Sequence, residues 1–331
     1  MAKGMILAGD VGGTKTNLAF VPATGRGRIG APVAFESYRS ADFSTFETMI
    51  EQFRGAHDVR FDAASFGYAG PVEDGRGVGT NVPWVADRAK LERALAVPRA
   101  HVMNDLVATG YGIAALTADD LVPILDGSIR ASENAGILAA GTGLGEAILA
   151  WVADGHVPIA SEGGHADFAP RTDLEIEVFR HLRDRFGRVS YEHIVSGPGL
   201  VNVGRVLHEL TGAAKAWRAH EEQASNEDDL PQVISGNALG GACPECAGAL
   251  DLFVGVYGAE AGNLALRCVA RGGIYLGGGI APHILPALRG ETFRAAFQDK
   301  PPHRELLESI PVFVIRNERT ALLGAARFAT L

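Results

Sequence analysis

Twice in this chain an apolar strand runs into a glycine-rich turn and straight back out as a second strand. The first copy reads Met5-Ile-Leu-Ala-Gly-Asp10, Val11-Gly-Gly-Thr14, Thr16-Asn-Leu-Ala-Phe-Val21; the second reads Gly136-Ile-Leu-Ala-Ala140, Gly141-Thr-Gly-Leu-Gly145, then an apolar strand over 147–152. Overlaid, Leu7-Ala8 falls on Leu138-Ala139 and the two glycine turns fall side by side. A repeated hairpin is the trace that a doubled domain leaves, and 331 residues are enough for two cores. The rest of the chain alternates in type. Phe43, Phe46, Met49, Ile50 and Phe53 keep helical spacing, 61–68 reads as a strand, 91–97 as a helix, 101–103 as a strand and 106–116 as a helix. Further on, 172–186 is an amphipathic helix with Thr172 as N-cap, 199–210 a helix and 217–229 a charged, exposed loop or helix end. The stretch 246–269 is a long buried helix, 274–276 a strand running into Gly277-Gly-Gly279, 312–315 a late strand and 320–328 a closing helix. This alternation predicts an α/β fold with sheets covered by helices.

Glycine at a strand end lets backbone N–H groups crowd a phosphate without Cβ interference. Gly12, Gly13 and Thr14 in one loop, Gly141, Thr142 and Gly143 in the other, and the turn Gly277, Gly278, Gly279 therefore point to a nucleotide, although each loop alone reads equally well as a tight hairpin. Asp10 beside the first loop suits Mg²⁺, held directly or through water. Neither GxxxxGK[ST] nor a GxGxxG at a strand-to-helix junction is present, which weighs against a P-loop NTPase and a Rossmann dehydrogenase.

A net charge of −9 with no basic block weighs against nucleic-acid binding. No window approaches the ~18 apolar residues of a membrane span, and residues 1–10 lack a signal peptide's apolar run. The expectation is a soluble, cytoplasmic protein. Cys243-Pro-Glu-Cys246 has the spacing of half a zinc site or of a redox pair, but no second Cys or His pair follows at zinc-finger spacing, so these cysteines are expected to be structural or incidental.

Asp10-Val-Gly-Gly-Thr14, Asn104-Asp105, Gly141-Thr-Gly-Leu-Gly145, Glu162-Gly-Gly-His165, Ser196-Gly-Pro-Gly-Leu200 and Gly277-Gly-Gly-Ile-Ala-Pro282 occur in the order found in bacterial glucokinases, and the chain resembles that family over essentially its whole length. The resemblance implies two actin-like ATPase (ribonuclease H-like) α/β domains closing over a cleft, a small one over 1–115 plus 317–331 and a large one over 116–316. It implies ATP-dependent phosphorylation of glucose to glucose 6-phosphate with Mg²⁺, and a homodimer. A kinase for mannose, fructose or an amino sugar is the near alternative. A catalytically inactive sugar sensor and an actin-like ATPase acting on protein partners are the distant ones.

By resemblance Asp105 is the general base that takes the sugar hydroxyl's proton; from the residues alone, an Asp at a strand-to-helix junction reads as a helix N-cap. Asn104 offers a donor and an acceptor to a sugar diol. The resemblance assigns Glu162, His165 and Glu192 to sugar hydroxyls, and Thr80 and Asn81 to the lining of the same site. Taken alone, Glu192 reads as a solvated helix residue. His165 with Asp167 is a weak metal pair. Trp84 and Trp151 read as core. Glu146 stands where the family often carries a small apolar residue and is expected either to face solvent or to alter the field near the phosphates. Asp167-Phe-Ala-Pro170 follows His165 without the cysteines of the ROK-type kinases, which places the chain with the non-zinc branch, and no helix-turn-helix precedes Asp10.

Overall fold

The structure is a computed structural model that describes residues 4–79, 82 and 84–331. The chain separates into two compact units. One comprises residues up to 120, 156–160 and 317–331; the other comprises 121–155 and 161–316. The first contains β1 (Met5–Val11), β2 (Lys15–Gly25), β3 (Arg28–Ile29), β4 (Ala34–Arg39), α1 (Phe46–Ala56), β5 (Ala63–Tyr68), β6 (Val72–Glu73), β7 (Arg76–Val78), β8 (Val85–Asp87), α2 (Arg88–Leu95), β9 (Ala100–Asn104) and α3 (Asp105–Ile113). There follow β10 (Leu121–Leu125), β11 (Ala135–Ala140), β12 (Leu144–Val152), β13 (Gly155–Ser161), α4 (Asp173–Phe186), α5 (Gly197–Leu210), α6 (Ala214–Gln223), α7 (Leu230–Leu239), α8 (Pro244–Cys268) and β14 (Ile274–Gly277). Last come the short α9 (Ile280–His283) and α10 (Leu285–Leu288), then α11 (Glu291–Gln298), α12 (Arg304–Glu308), β15 (Val312–Ile315) and α13 (Thr320–Phe328).

In the first unit the main sheet runs β3-β2-β1-β5-β9, with β4 also on β2; in the second, β10-β15-β14-β11-β12. The repeat seen in the sequence is a repeat of topology. β1 pairs antiparallel with β2 and parallel with β5, just as β11 pairs antiparallel with β12 and parallel with β14. Side chains alternate across each strand. Leu7, Val11, Leu18 and Phe20 therefore join α1 residues Phe46, Met49 and Phe53 on one face of the first sheet, while Ile6, Ala8, Ala19 and Val21 meet Leu322 and Ala326 of α13 on the other. α13 lies tightly on α3: a Cβ on Gly324 would stand 1.7 Å from the Ala108 carbonyl oxygen, and one on Gly112 2.1 Å from that of Thr320. The second core gathers around α8, whose apolar residues are buried along nearly its full length. Among the described residues no single helix is long and apolar enough to cross a membrane.

Most predicted elements lie within a few residues of the observed ones, and Thr172 does cap α4, accepting from the Glu175 N–H at 3.1 Å. The stretch 217–229, expected as an exposed loop or a helix end, holds most of α6: Trp217 faces inward with His220 and the charged residues lie on the surface side. The cysteine pair of α8 has histidine partners, His208 and His220, which folding brings beside it from α5 and α6.

Candidate active site

In the first unit the site residues share one face of the sheet. Asp10 is two residues on from Ala8 and so points to the α3–α13 side. Its register partners are Asn17 on β2 and Gly67 on β5. Gly67 lets α3 settle there: a Cβ would lie 2.9 Å from Ala108 Cβ and 3.7 Å from Asp105 Cα. Asp105 is thus the first residue of a helix seated directly beside the strand that neighbours Asp10. Enclosure and the Asp105 charge raise the Asp10 carboxyl from 3.8 to about 7, against the opposing hydrogen bond from Asn17 and the charge of Lys15. The other end of the Asn17 amide is unsatisfied, since its buried Oδ1 has no hydrogen-bond partner. A carboxylate beside an unpartnered carbonyl oxygen is the hard-oxygen chemistry that Mg²⁺ takes, so Asp10 and Asn17 fit that ion.

The N-cap of α3 is Asn104, not Asp105. Asn104 Oδ1 accepts from the N–H groups of Leu106 (2.9 Å) and Val107 (3.3 Å), and Nδ2 donates to the Gly70 carbonyl at 3.2 Å. With both lone pairs occupied, Asn104 has one N–H left to offer a hydroxyl. The Leu106 N–H also reaches Asp105 Oδ1 at 2.9 Å, fixing that carboxylate against the helix start. The first glycine turn is held from within. Gly12 N–H bonds to the Lys15 carbonyl, and the buried Ser40 hydroxyl donates to the Gly12 carbonyl at 2.6 Å. Thr14 is exposed on the turn. Thr80 and Asn81 lie outside the described residues.

In the second unit four of the quoted motifs converge. Gly141 N–H bonds to the Gly143 carbonyl, and Gly197 at the start of α5 donates to the Gly141 carbonyl, both at 2.8 Å. Nothing stands within 4 Å of where a Gly141 Cβ would be, so that backbone is open to a ligand, and Thr142 is exposed. Glu192, on the short 3₁₀ turn Tyr191–His193, places Oε2 2.9 Å from the Leu144 N–H and Oε1 3.7 Å from His165 Nδ1. A Cβ on Gly143 would meet Oε2 at 2.5 Å. Glu192 is therefore no solvated helix residue but a half-buried brace. Gly278, at φ +80°, packs its backbone against the Ala140 carbonyl, so the third glycine turn adjoins the second.

Glu162 and His165 are exposed at the two ends of the 3₁₀ turn Gly163–His165. The turn lies flat on β12, because a Cβ on Gly164 would come within 1.9 Å of the Leu144 carbonyl oxygen. Asp167 pairs with Arg188 at 2.7 Å, and Arg188 also bonds the His165 carbonyl, which removes Asp167 from any metal pair with His165. Glu146 does not face solvent: it is 1% exposed beneath Gly163, which sits so close that a Cβ would touch Glu146 Oε2 at 2.3 Å. There it shares Arg267 (3.6 Å) with Glu260 (2.5 Å), and burial together with the Glu260 charge raises its carboxyl well above the ordinary range. Asn263 donates to Glu260 and to the Tyr191 hydroxyl, extending this buried network to the turn that carries Glu192. Trp84 is buried, and Trp151 is partly so.

Sequence reasoning missed Asn17, Ser40 and the Glu260–Arg267 pair. The hairpin register could have flagged Asn17, which must lie opposite Asp10 once the turn is placed; nothing local marks Ser40 or Glu260.

The sequence profile of the glucokinase family matches residues 7–331. A glucokinase of Nostoc punctiforme is 38% identical over 97% of this chain and 98% of its own length. One of Mesorhizobium japonicum is 36% identical over 98% of this chain and 91% of its own. Among solved structures, the glucokinase of an Antarctic psychrotroph superposes with a TM-score of 0.84 at 27% identity, covering 98% of both chains.

Proposed function

The chain belongs to the glucokinase family, and from that premise we propose that it transfers the γ-phosphoryl group of ATP to the 6-hydroxyl of glucose, with Asp105 as general base. The observation that carries the catalytic assignment is the placement of Asp105 on the first turn of α3, beside Asp10 on the same face of the sheet. Phosphoryl transfer needs little covalent help from a protein; it needs positioned phosphates, compensated charge and a base at the attacking hydroxyl. The Gly12–Thr14 and Gly141–Gly143 turns lie against the phosphates and donate N–H groups other than those of Gly12 and Gly141, which the turns themselves use, with Thr14 and Thr142 adding hydroxyls. Asp10, with Asn17, would hold the magnesium ion, which would neutralise charge on the phosphate oxygens. Glu162, His165 and Glu192 accept and donate to sugar hydroxyls, and Asn104 offers its remaining N–H. Asp105 takes the proton of the 6-hydroxyl as that oxygen attacks phosphorus. The Gly277–Gly279 turn packs against the adenosine.

A coupled assay for ADP release with Mg-ATP across a panel of hexoses tests this reading. Turnover strongest on glucose is the expected result. Stronger turnover on mannose, fructose or an amino sugar would move the substrate assignment, and no sugar-stimulated ADP release from folded protein would overturn it.

A further inference from the structure

Two cysteines and two histidines from three helices meet in the second unit, away from every motif used above. His208 lies in the last turn of α5, His220 in the last turn of α6, Cys243 is the N-cap of α8 and Cys246 lies in its first turn. All four are buried, and their ligating atoms lie within 4.8 Å of one another. His208 Nε2 is 3.7 Å from Cys243 Sγ, and His220 Nε2 is 3.3 Å from Cys246 Sγ. Tetrahedral zinc with Zn–S of ~2.3 Å and Zn–N of ~2.0–2.1 Å sets sulfur and nitrogen about 3.6 Å apart. From this constellation we infer that His208, His220, Cys243 and Cys246 form a structural zinc site that ties the C-terminal ends of α5 and α6 to the N-terminus of α8.

The surrounding groups suit ligation. His208 Nδ1 donates to the Gly204 carbonyl at 2.7 Å, which fixes the tautomer whose Nε2 lone pair faces Cys243. His220 Nδ1 lies 3.2 Å from Asn237 Nδ2, which also reaches Gln223 Oε1 at 3.2 Å; with both amides turned, Asn237 Oδ1 accepts from Nδ1–H and from the Gln223 amide, and the His220 Nε2 lone pair likewise faces inward. The Cys246 N–H bonds to Cys243 Sγ at 3.0 Å, a backbone donor that favours a thiolate, as does the start of α8. Two nitrogens and two sulfurs select zinc over magnesium or calcium. Binding balances as Zn²⁺ plus two thiols and two neutral imidazoles giving the four-coordinate complex and two released protons; no electron is transferred. The spacing hid the site, because eleven residues separate His208 from His220 instead of the three to five between the histidines of a zinc finger.

The test is metal analysis of the full-length protein, expressed with zinc and passed over a chelating resin. The expected result is about one zinc per chain, kept in Cys268→Ser and lost in Cys246→Ser and His220→Asn. Should those two variants fail to fold, cobalt reconstitution of the unaltered chain decides the matter: a thiolate-to-cobalt charge-transfer band with intense tetrahedral d–d absorption is expected. Absence of zinc together with absence of the cobalt band overturns the site. So does zinc that folded Cys246→Ser retains, or a Cys243–Cys246 disulfide in the metal-free protein as purified.

Discussion

Glu192 Oε2 accepts the backbone N–H of Leu144 at 2.9 Å, so a residue assigned to a sugar hydroxyl also braces the loop assigned to phosphate. The two tasks separate by substitution. Glu192→Gln keeps an oxygen for Leu144 but loses the anionic acceptor, so the glucose KM should rise ~10-fold with the ATP KM little changed. Glu192→Ala loses both and should raise both constants. Equal effects of the two variants on ATP would show that the brace does not matter.

Asp105→Asn keeps the size of the side chain and removes the proton acceptor. Turnover should fall by ~10²–10⁴ while glucose affinity, read by tryptophan fluorescence or calorimetry, stays within about threefold. Near-normal kcat in that variant would remove Asp105 from the role of base.

Gly67 is the spacer that sets Asp105 beside Asp10. Gly67→Ala places a methyl 2.9 Å from Ala108 Cβ, so α3 must move outward. The expected cost is ~1–3 kcal/mol of stability and a fall in kcat of up to ~10²-fold from misplacement of the base. A variant with full activity and an unchanged melting midpoint would mean that the helix is not held by this contact.

Asp10 titrates near 7 in the folded chain against an ordinary 3.8. The folded state therefore keeps a proton that the unfolded chain has released over that interval. The stabilising contribution is full below the lower value and is lost as pH rises through the upper one. Denaturation midpoints across this pH range should carry a downward component that Asp10→Asn removes. Magnesium needs the ionised carboxylate, so its apparent affinity should weaken as pH falls below about 7, with proton release on binding visible as buffer-dependent heat.

Glu146 and Glu260 share one arginine under the Gly163–His165 turn. With the Glu146 carboxyl raised, its ionisation at alkaline pH is what the fold resists. Glu146→Gln should therefore gain stability over the unaltered chain as pH rises from 4.5 to about 8, and Arg267→Ala should lose ~3–5 kcal/mol by leaving buried carboxylate charge uncompensated. A pH-independent difference between Glu146→Gln and the unaltered chain would contradict this account.

The hairpins, the α4 cap and the long α8 were legible because periodicity, a Thr before an apolar run and small buried residues are local signals. The placing of Glu192 against Leu144 was not, since it depends on a 3₁₀ turn and on a glycine whose missing Cβ makes room, and neither has a periodicity. Asn104 and Asp105 were both marked, yet which one caps α3 is a matter of backbone angles that adjacent residues of similar shape do not betray. His208 and His220 each look like ordinary helix residues; only packing of α5, α6 and α8 makes them neighbours. The sequence left Glu146 between facing solvent and altering the field near the phosphates, because its cation, Arg267, lies far along the chain.

α13 closes over α3 through the paired glycines Gly112 and Gly324, yet it follows the entire second unit in the chain. During synthesis, then, the helix bearing Asp105 emerges early and waits with its packing face uncovered while some two hundred further residues are translated. The ribosome delivers the clasp only after the second unit, and a nascent chain stalled before residue 317 has no means of completing the support beneath Asp105.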